Sequence, residues 1–380
     1  MYFFHILLSN KTLGLAGGWS AMPAKSTFGA LIASDVAPKI CDIARKIRHV
    51  ASKIRDIPPQ RARACPRHFR ECPCNVRSAI ISFRETSMPV RAQPEASITV
   101  LNSITRLLPG HAGSVVVSGS HGGLYPAVLA SCGRLRGVVF SDAGVGLDGA
   151  GVCGLALLDA IGLPAIAADC FSARIGDGAD ILARGRISHV NQAAAQRGCQ
   201  VGDPVSHCCI LMKSGAPCSI ILPTLGDGRL MLRAEAPQIW GVDSNSLIEP
   251  ADVGAIIVSG SHGGLLGGEP GSAIGPDVLA AAFNDAGVGI DNAGISRLAA
   301  LDRRGIAAVT VAAASARIGD ARSAWETGVI SAWNETAARL GAGEGRRLSA
   351  FYSDLASRVS PELVAGHLNC DKHRQRASEP

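Results

Sequence analysis

Downstream of residue 96, short apolar runs alternate with amphipathic stretches, and clusters of glycine and polar residues separate them. Apolar runs that end in glycine or polar residues predict buried strands at 114–118, 137–140 and 163–168. Apolar positions three or four residues apart predict helices at 98–108, 124–132, 151–161 and 180–197. Strands that alternate with helices at this spacing indicate βαβ units and a parallel sheet.

Three polar motifs in this region occur twice. The motif VSGSHGG at 117–123 recurs at 258–264, and SARIGD at 172–177 recurs at 315–320. The motif FSDAGVG at 140–146 recurs as FNDAGVG at 283–289. The offset is 141 residues for the first motif and 143 for the other two. Because a solenoid repeat spans only about 20–50 residues, this period indicates duplication of a whole α/β unit.

We therefore predict an α/β fold of two tandem Rossmann-like, three-layer domains with mostly parallel sheets, related by internal duplication. The first repeat is expected at 96–200 and the second at 253–345, with a β-rich connector at 201–252 between them. A C-terminal helix and tail are expected at 346–380. A hydrophobic content of 47% with only 18% charged residues suits a chain with a large core.

Residues 1–95 are expected to form a basic, poorly ordered N-terminal extension. Residues 1–98 contain 15 Lys and Arg against 6 Asp and Glu, so the net charge of +6 belongs to this region. A natural start at Met88 and an Arg-rich organellar targeting peptide are alternative interpretations. Potential zinc ligands lie here at no standard spacing, and they are Cys65, His68, Cys72 and Cys74.

Composition also limits the partners that we expect. The repeat region has a small negative net charge and the chain contains only 4% aromatic residues, which disfavours nucleic acid. No run reaches the roughly 18 apolar residues that span a bilayer, so no membrane partner is expected. The second repeat has no cysteine between residues 253 and 345, which favours reduced thiols and a cytoplasmic protein. The oligomeric state stays open.

The three motifs all follow predicted strands. Because ligands bind beyond the carboxyl ends of parallel strands, we expect the polar residues of the motifs to meet at one edge of each sheet. The candidate catalytic residues there are Ser120, His121 and Asp142, with Ser261, His262 and Asp285 as their equivalents.

At this edge, His121 oriented by Asp142 is a candidate general base. Ser120 is a candidate nucleophile, but adjacent side chains of an extended chain point to opposite faces. A water activated by the histidine, or a serine of one copy facing the histidine of the other, is an alternative. A buried histidine bonded to a backbone carbonyl is the alternative without catalysis.

An anion is the expected ligand of these loops. Backbone N–H groups of glycine are expected to bind it, and the glycines are Gly122, Gly123, Gly144, Gly146, Gly263, Gly264, Gly287 and Gly289. Arg174 and Arg317 would hold a carboxylate or phosphate bidentately, unless each pairs with the Asp three residues further on. The cofactor is unknown. Asp148 and Asp291 would either join a divalent metal site or cap the following helix.

A strand that ends in His-Gly, followed by a strand that ends in an acidic residue plus Ala, resembles the layout of caspase-type cysteine peptidases. In that family the nucleophilic cysteine would follow the Ala, and the matching positions here are Gly144 and Gly287. The resemblance covers two short motifs and implies architecture without that activity. The leading hypothesis is a small-molecule hydrolase or lyase that acts on an anionic metabolite. The alternative is a non-catalytic protein that binds a small anion.

Overall fold

The computed structural model describes residues 97–224, 226 and 228–358 of the chain. All of them belong to one of the two units into which the chain divides, residues 87–380. The expectations for residues 1–95 and for the tail beyond residue 358 lie outside the described residues. In the part that is described, no helix is long and apolar enough to cross a membrane.

The first sheet has five strands in the sequential order β1-β2-β3-β4-β5. Its strands are β1 Ile98–Leu101, β2 Val115–His121, β3 Gly137–Ser141, β4 Ala165–Ala168 and β5 Ile187–Val190. The first four strands are parallel, and β5 runs antiparallel to β4.

The second sheet has six strands in the order β11-β10-β9-β8-β7-β6. They are β6 Arg229–Arg233, β7 Ile239–Val242, β8 Ile256–His262, β9 Ala280–Asn284, β10 Ala307–Val311 and β11 Ile330–Trp333. Strands β7 to β10 are parallel, and the two edge strands are antiparallel to their neighbours. The prediction of an α/β fold with mostly parallel sheets is therefore confirmed.

Helices cover both faces of each sheet. They are α1 Leu124–Cys132, α2 Gly154–Ala160, α3 Gly178–Arg184, α4 Gln192–Ala195, α5 Val205–Lys213, α6 Arg297–Asp302, α7 Ala321–Thr327, α8 Glu335–Arg339 and α9 Leu348–Arg358. In the first sheet, Val116 packs towards α1 and α2, whereas Val117 packs towards α3 and α5. Because both faces are covered, the central strands read as continuous apolar runs.

Neither sheet reverses its strand order. In a doubly wound Rossmann sheet, the ligand crevice lies at the point where the order reverses. The sequential order found here has no such point. A binding site therefore has to come from loops or from the way in which the two halves of the unit face each other. We call residues 97–224 the first half and residues 228–358 the second half.

Two predicted helices differ from the structure. Residues 98–108 form β1 and the 3-10 turn Ile104–Arg106, because Ile98 and Val100 pair with β2. Residues 180–197 contain α3, β5 and α4 rather than one helix. Gly185 ends α3 with an extended ψ of 138°, and the residues that follow it pair with β4. In both stretches, the spacing of apolar residues resembled that of a helix, although the residues include a short strand.

The predicted connector divides between the two halves. Helix α5 packs on the first sheet beside Val115 and Val139, whereas β6 and β7 form an antiparallel pair in the second sheet. The turn between these two strands lies at residues 234–238 and not at the glycine pair of 226–228.

The halves meet where the turns after β3 and β9 touch. A Cβ on Gly144, which has a φ of +66°, would lie 2.9 Å from the Cα of Gly287. Backbone bonds cross the same boundary on either side, because Leu147 N–H donates to the Ala313 carbonyl at 2.8 Å. Such close approach of two backbones requires glycine. The contact fixes the ends of both sheets against each other.

We predict that Gly144→Ala destabilises the protein much more than Gly149→Ala does. Both glycines have positive φ, but nothing lies within 4 Å of a Cβ on Gly149. The control variant should therefore lose about 1 kcal/mol of unfolding free energy from backbone strain. Gly144→Ala should lose about 1–3 kcal/mol more from overpacking. Urea unfolding of the full chain measures both, and equal losses would contradict the tight contact.

Candidate functional site

A cleft of about 190 Å³ lies between the two halves. Its walls are the ends of β2 and β8 together with the 3-10 turns that follow β1 and β7. The charged residues and histidines among its lining residues are Arg106, His121, Asp243, His262 and Arg297, and Ser120 and Ser261 of the repeated motifs also line it. Pockets for drug-sized ligands span about 300–1,000 Å³, so this cleft suits a molecule of only a few heavy atoms.

The two histidines are held in the same way by their own loops. His121 ends β2, and its Nδ1 accepts a hydrogen bond from the N–H of Gly123 at 3.2 Å. His262 ends β8, and its Nδ1 accepts from the N–H of Gly264 at 3.2 Å. A ring nitrogen that accepts a bond carries no proton, so the neutral ring has its proton on Nε2. Both residues line the cleft.

Burial keeps both imidazoles neutral at physiological pH. It lowers the pKa of His121 from 6.5 to about 4. It also lowers the pKa of His262 well below its usual range, and the charges of Arg297 and His121 add to this effect. A neutral imidazole with Nε2–H donates a hydrogen bond and is a poor proton acceptor. It therefore suits polarisation of a carbonyl or stabilisation of an oxyanion.

The sequence suggested that Asp142 orients His121, but the structure shows no hydrogen bond between these two residues. Its Oδ1 accepts hydrogen bonds from the N–H groups of Gly144 and Cys170, each at 3.0 Å. Asp285 makes the equivalent pair of bonds in the second half. Neither carboxylate bonds to a histidine, because each one folds the turn that follows its strand. These aspartates shape the contact between the halves.

The two serines tie the 3-10 turns to the strands. The Oγ of Ser120 accepts from the N–H of Ile104 at 3.0 Å, and the Oγ of Ser261 accepts from the N–H of Asn245 at 2.8 Å. Both serines line the cleft. Each hydroxyl can still donate its own proton. A histidine whose Nε2 is protonated cannot accept that proton at Nε2, so it does not activate the serine as a nucleophile.

The glycine N–H groups of the motifs donate within the protein. Their donors are Gly122, Gly123, Gly144, Gly146, Gly263, Gly264, Gly287 and Gly289. Packing explains why glycine occurs there, since a Cβ on Gly123 would lie 2.7 Å from the Nδ1 of His121. The loops thus position the histidines rather than offer free donors to an anion.

Arg174 and Arg317 pair across the boundary between the halves. Arg174 Nη2 lies 2.8 Å from Asp291 Oδ2, and Arg317 Nε lies 2.8 Å from Asp148 Oδ2. The arginine side chains are 46% and 39% exposed, and neither lines the cleft. The four residues that were candidates for anion or metal binding therefore form two reciprocal surface ion pairs.

The first half also contains a group of potential metal ligands, formed by Asp142, Asp169 and Cys170. Burial, followed by the charge of Asp142, raises the pKa of the Cys170 thiol to about 12. Neither histidine belongs to this group, and Asp148 and Asp291, the metal candidates of the sequence, pair with arginines instead.

Three charged residues of the cleft escaped the sequence analysis, and they are Arg106, Asp243 and Arg297. Arg106 is exposed in the 3-10 turn that follows β1. Arg297 begins α6 and is only 2% exposed. The Oδ1 of Asp243 accepts from the N–H of Ala321 at 2.9 Å, and burial raises the pKa of Asp243. At the repeat offset, the first half has Gly154 and Asn102 in the places of Arg297 and Asp243. A search for identical residues overlooks such positions, whereas a search for differences between the repeats would have found them.

Comparison with protein-family models, with curated proteins and with solved structures finds no match to this chain.

The tautomer of the two histidines is directly measurable. We predict that long-range ¹H–¹⁵N NMR at pH 7 shows both rings neutral with the proton on Nε2. Unfolded histidine titrates near 6.5, whereas His121 in the fold titrates near 4. The contribution of His121 to stability is therefore complete above about pH 6.5. About 3 kcal/mol is lost as the pH falls to 4. A charged ring, or a proton on Nδ1, at pH 6 would contradict the geometry.

The exposed ion pairs predict little effect of Arg317 on the cleft. Arg317→Ala should cost less than about 1 kcal/mol of stability, because exposed pairs contribute that little. Asp148→Ala should match it, since the two residues share one bond. Thermal unfolding and ligand titration of both variants provide the check. A loss of ligand affinity in Arg317→Ala alone would restore this residue as a substrate-binding group.

Proposed function

We propose that this protein is a small-molecule enzyme, a hydrolase or a lyase, that acts on a small anionic metabolite in the cleft between its halves. The observation that supports the proposal most is the pair of buried histidines that line this cleft. His121 and His262 come from different halves, and the Nδ1 atom of each accepts from its own loop. Each Nε2–H is then free to donate to one bound molecule.

Two such donors fit a reaction in which negative charge develops on a carbonyl oxygen. Addition of water to an ester or amide develops that charge, and so does removal of a proton beside a carbonyl. Neutral donors that are fixed in advance stabilise the oxyanion without reorganising during the reaction. Burial of His121 and His262 strengthens these hydrogen bonds, because the local dielectric is low.

Asp243 is the carboxylate that lines the cleft. Its Oδ1 is held by a backbone N–H, while burial raises its pKa above the usual value. A base with a pKa nearer the working pH combines the correct charge state with useful basicity. We therefore assign the basic step to Asp243 or to a water beside it, and the donor role to the histidines.

The proposal includes the relation between the two halves. We propose that they are copies of one Rossmann-like, three-layer unit that duplicated in tandem. The support comes from equivalent bonds at equivalent positions. Asn191 Oδ1 accepts from Ala165 N–H at 3.0 Å, and Asn334 Oδ1 accepts from Ala308 N–H at 3.1 Å. Duplication explains why one cleft receives a histidine from each side.

A small anion is the proposed partner, and the cytoplasm is the proposed location. The cysteines of the described residues are free, and several of them are buried in the core of the first half. Free core thiols favour a reducing compartment.

A non-catalytic protein that binds a small anion is the second candidate. It is favoured by one observation, the lack of a hydrogen bond between either histidine and a carboxylate. Donors without a coupled base are sufficient for binding. The two candidates differ in what the histidines contribute, since a binder needs them only for affinity.

Histidine variants separate the two candidates. Turnover of a panel of small esters, lactones and hydroxy acids should fall by roughly 100- to 1,000-fold in His121→Gln or His262→Gln. The value of KM should change little, because the donors act mainly on the transition state. His207→Gln is the matched control, since His207 is exposed on α5. Binding without turnover in the wild-type chain would favour the second candidate. Full turnover in the double variant, with both His121→Gln and His262→Gln, would contradict a catalytic role of the histidines.

A further inference from the structure

We propose that Arg297 binds a carboxylate of the ligand through the Nε–Nη2 edge of its guanidinium. The ligand would then be a small carboxylic acid that enters the cleft in one orientation. This inference rests on the proposed function, because it assigns a ligand class to the same cleft.

The guanidinium of Arg297 is held from one side. Its Nη1 donates to the carbonyl oxygens of Ser272 and Ala273. The ring of Phe283 lies against the group, with 5.3 Å between its centroid and the Cζ of Arg297. The side chain is almost fully buried and lines the cleft. Its orientation is therefore determined by the protein, without any ligand.

The other edge of the same group has no acceptor. Nε is buried and has no hydrogen-bond partner. Nη2 also donates to no group among the described residues. The N–H bonds of Nε and Nη2 are parallel, and their spacing matches the two oxygens of a carboxylate. A buried donor without an acceptor is costly, so this edge is suited to an acceptor from outside the chain.

The positive charge is also unpaired. No carboxylate forms an ion pair with Arg297 in the part of the chain that the structure describes. Burial lowers the pKa of Arg297 to about 10, so the group is still a cation at neutral pH. Arg229 shows how this chain pairs an arginine for structure, since two of its nitrogens bond to Asp252 at 2.6 and 3.0 Å. A buried cation without such a partner favours an anionic ligand.

A buried cation at this position occurs only in the second half, whereas Arg106, the cleft arginine of the first half, is exposed. The equivalent position in the first half is Gly154, where a Cβ would lie 2.3 Å from the Gly123 carbonyl oxygen. The first half therefore has no room for a side chain there. A ligand carboxylate would lie on the side of His262, and the rest of the molecule would extend towards His121. A volume of about 190 Å³ suits an acid of about two to five carbons.

Titration of the full chain tests the inference directly. The protein is labelled with ¹⁵N in arginine, and the Nε–H resonance that disappears in Arg297→Lys is assigned to Arg297. Acetate, glycolate, pyruvate, glutarate and inorganic phosphate are then added in separate experiments. We expect a carboxylate to shift this resonance and to slow its hydrogen exchange. A resonance that responds to phosphate and to no carboxylate would overturn the carboxylate assignment.

Affinity in variants provides the second measurement. Arg297→Lys keeps the charge but loses the two-donor edge, so the Kd of the carboxylate should rise by about 10- to 100-fold. Arg304→Lys is the matched control, because Arg304 already donates to the Ile274 carbonyl and pairs with Asp277. Its Kd should stay unchanged. An unchanged Kd in Arg297→Lys would overturn the inference. If that variant does not fold, the wild-type titration decides.

The two proposals can fail separately. If Arg297→Lys keeps its affinity while His121→Gln loses turnover, the inference fails and the proposed enzyme stands. If the carboxylate shifts the Arg297 resonance but neither histidine variant changes turnover, the inference stands and the catalytic proposal fails.

Discussion

The contact between the turns at Gly144 and Gly287 is the constraint on which the cleft depends. Residues 143 to 146 all have positive φ, and Val145 has a φ of +63°, which is strained for a β-branched residue. The carboxylate of Asp142 holds this turn through two backbone N–H groups. Strain of this kind persists only where surrounding bonds impose it. The strained turns bring the ends of both sheets together, so the histidines of β2 and β8 line one cleft.

The electrostatics of the cleft follow from this burial. Both imidazoles respond by remaining neutral, since burial penalises the charged form. Arg297 cannot respond in the same way, because a guanidinium keeps its proton at any physiological pH. The cleft therefore combines two neutral donors with one buried cation, Arg297, that forms no ion pair among the described residues, while Asp243 and the exposed Arg106 also line it. A small molecule with an anionic group for Arg297 and a hydrogen-bond acceptor at its other end for the histidines would fit this cleft.

The sequence pattern predicted the strands that carry the histidines and the sheet edge at which they lie. It did not predict that Arg174 would pair with Asp291, because that bond joins residues 117 positions apart and depends on how the halves face each other. The sequence also did not predict the role of Asp142. A carboxylate that follows a strand can either orient a histidine or stabilise its own turn, and the sequence pattern is the same in both cases. The prediction of one helix at 180–197 was wrong, because Gly185 ends α3 and a short strand follows it.

Residues that the two halves share and residues that they do not share have different roles in this unit. Most residues shared by the motifs bond within their own turn or across the boundary, as Asp142 and Arg317 do. Both halves need those bonds, which explains their presence in each. A cleft built from identical walls would accept a ligand equally well in two opposite orientations. Arg297 and Asp243 stand where the first half has Gly154 and Asn102. If the proposed carboxylate binds Arg297, these unmatched residues make one orientation more favourable, and chemistry at a defined atom requires one orientation.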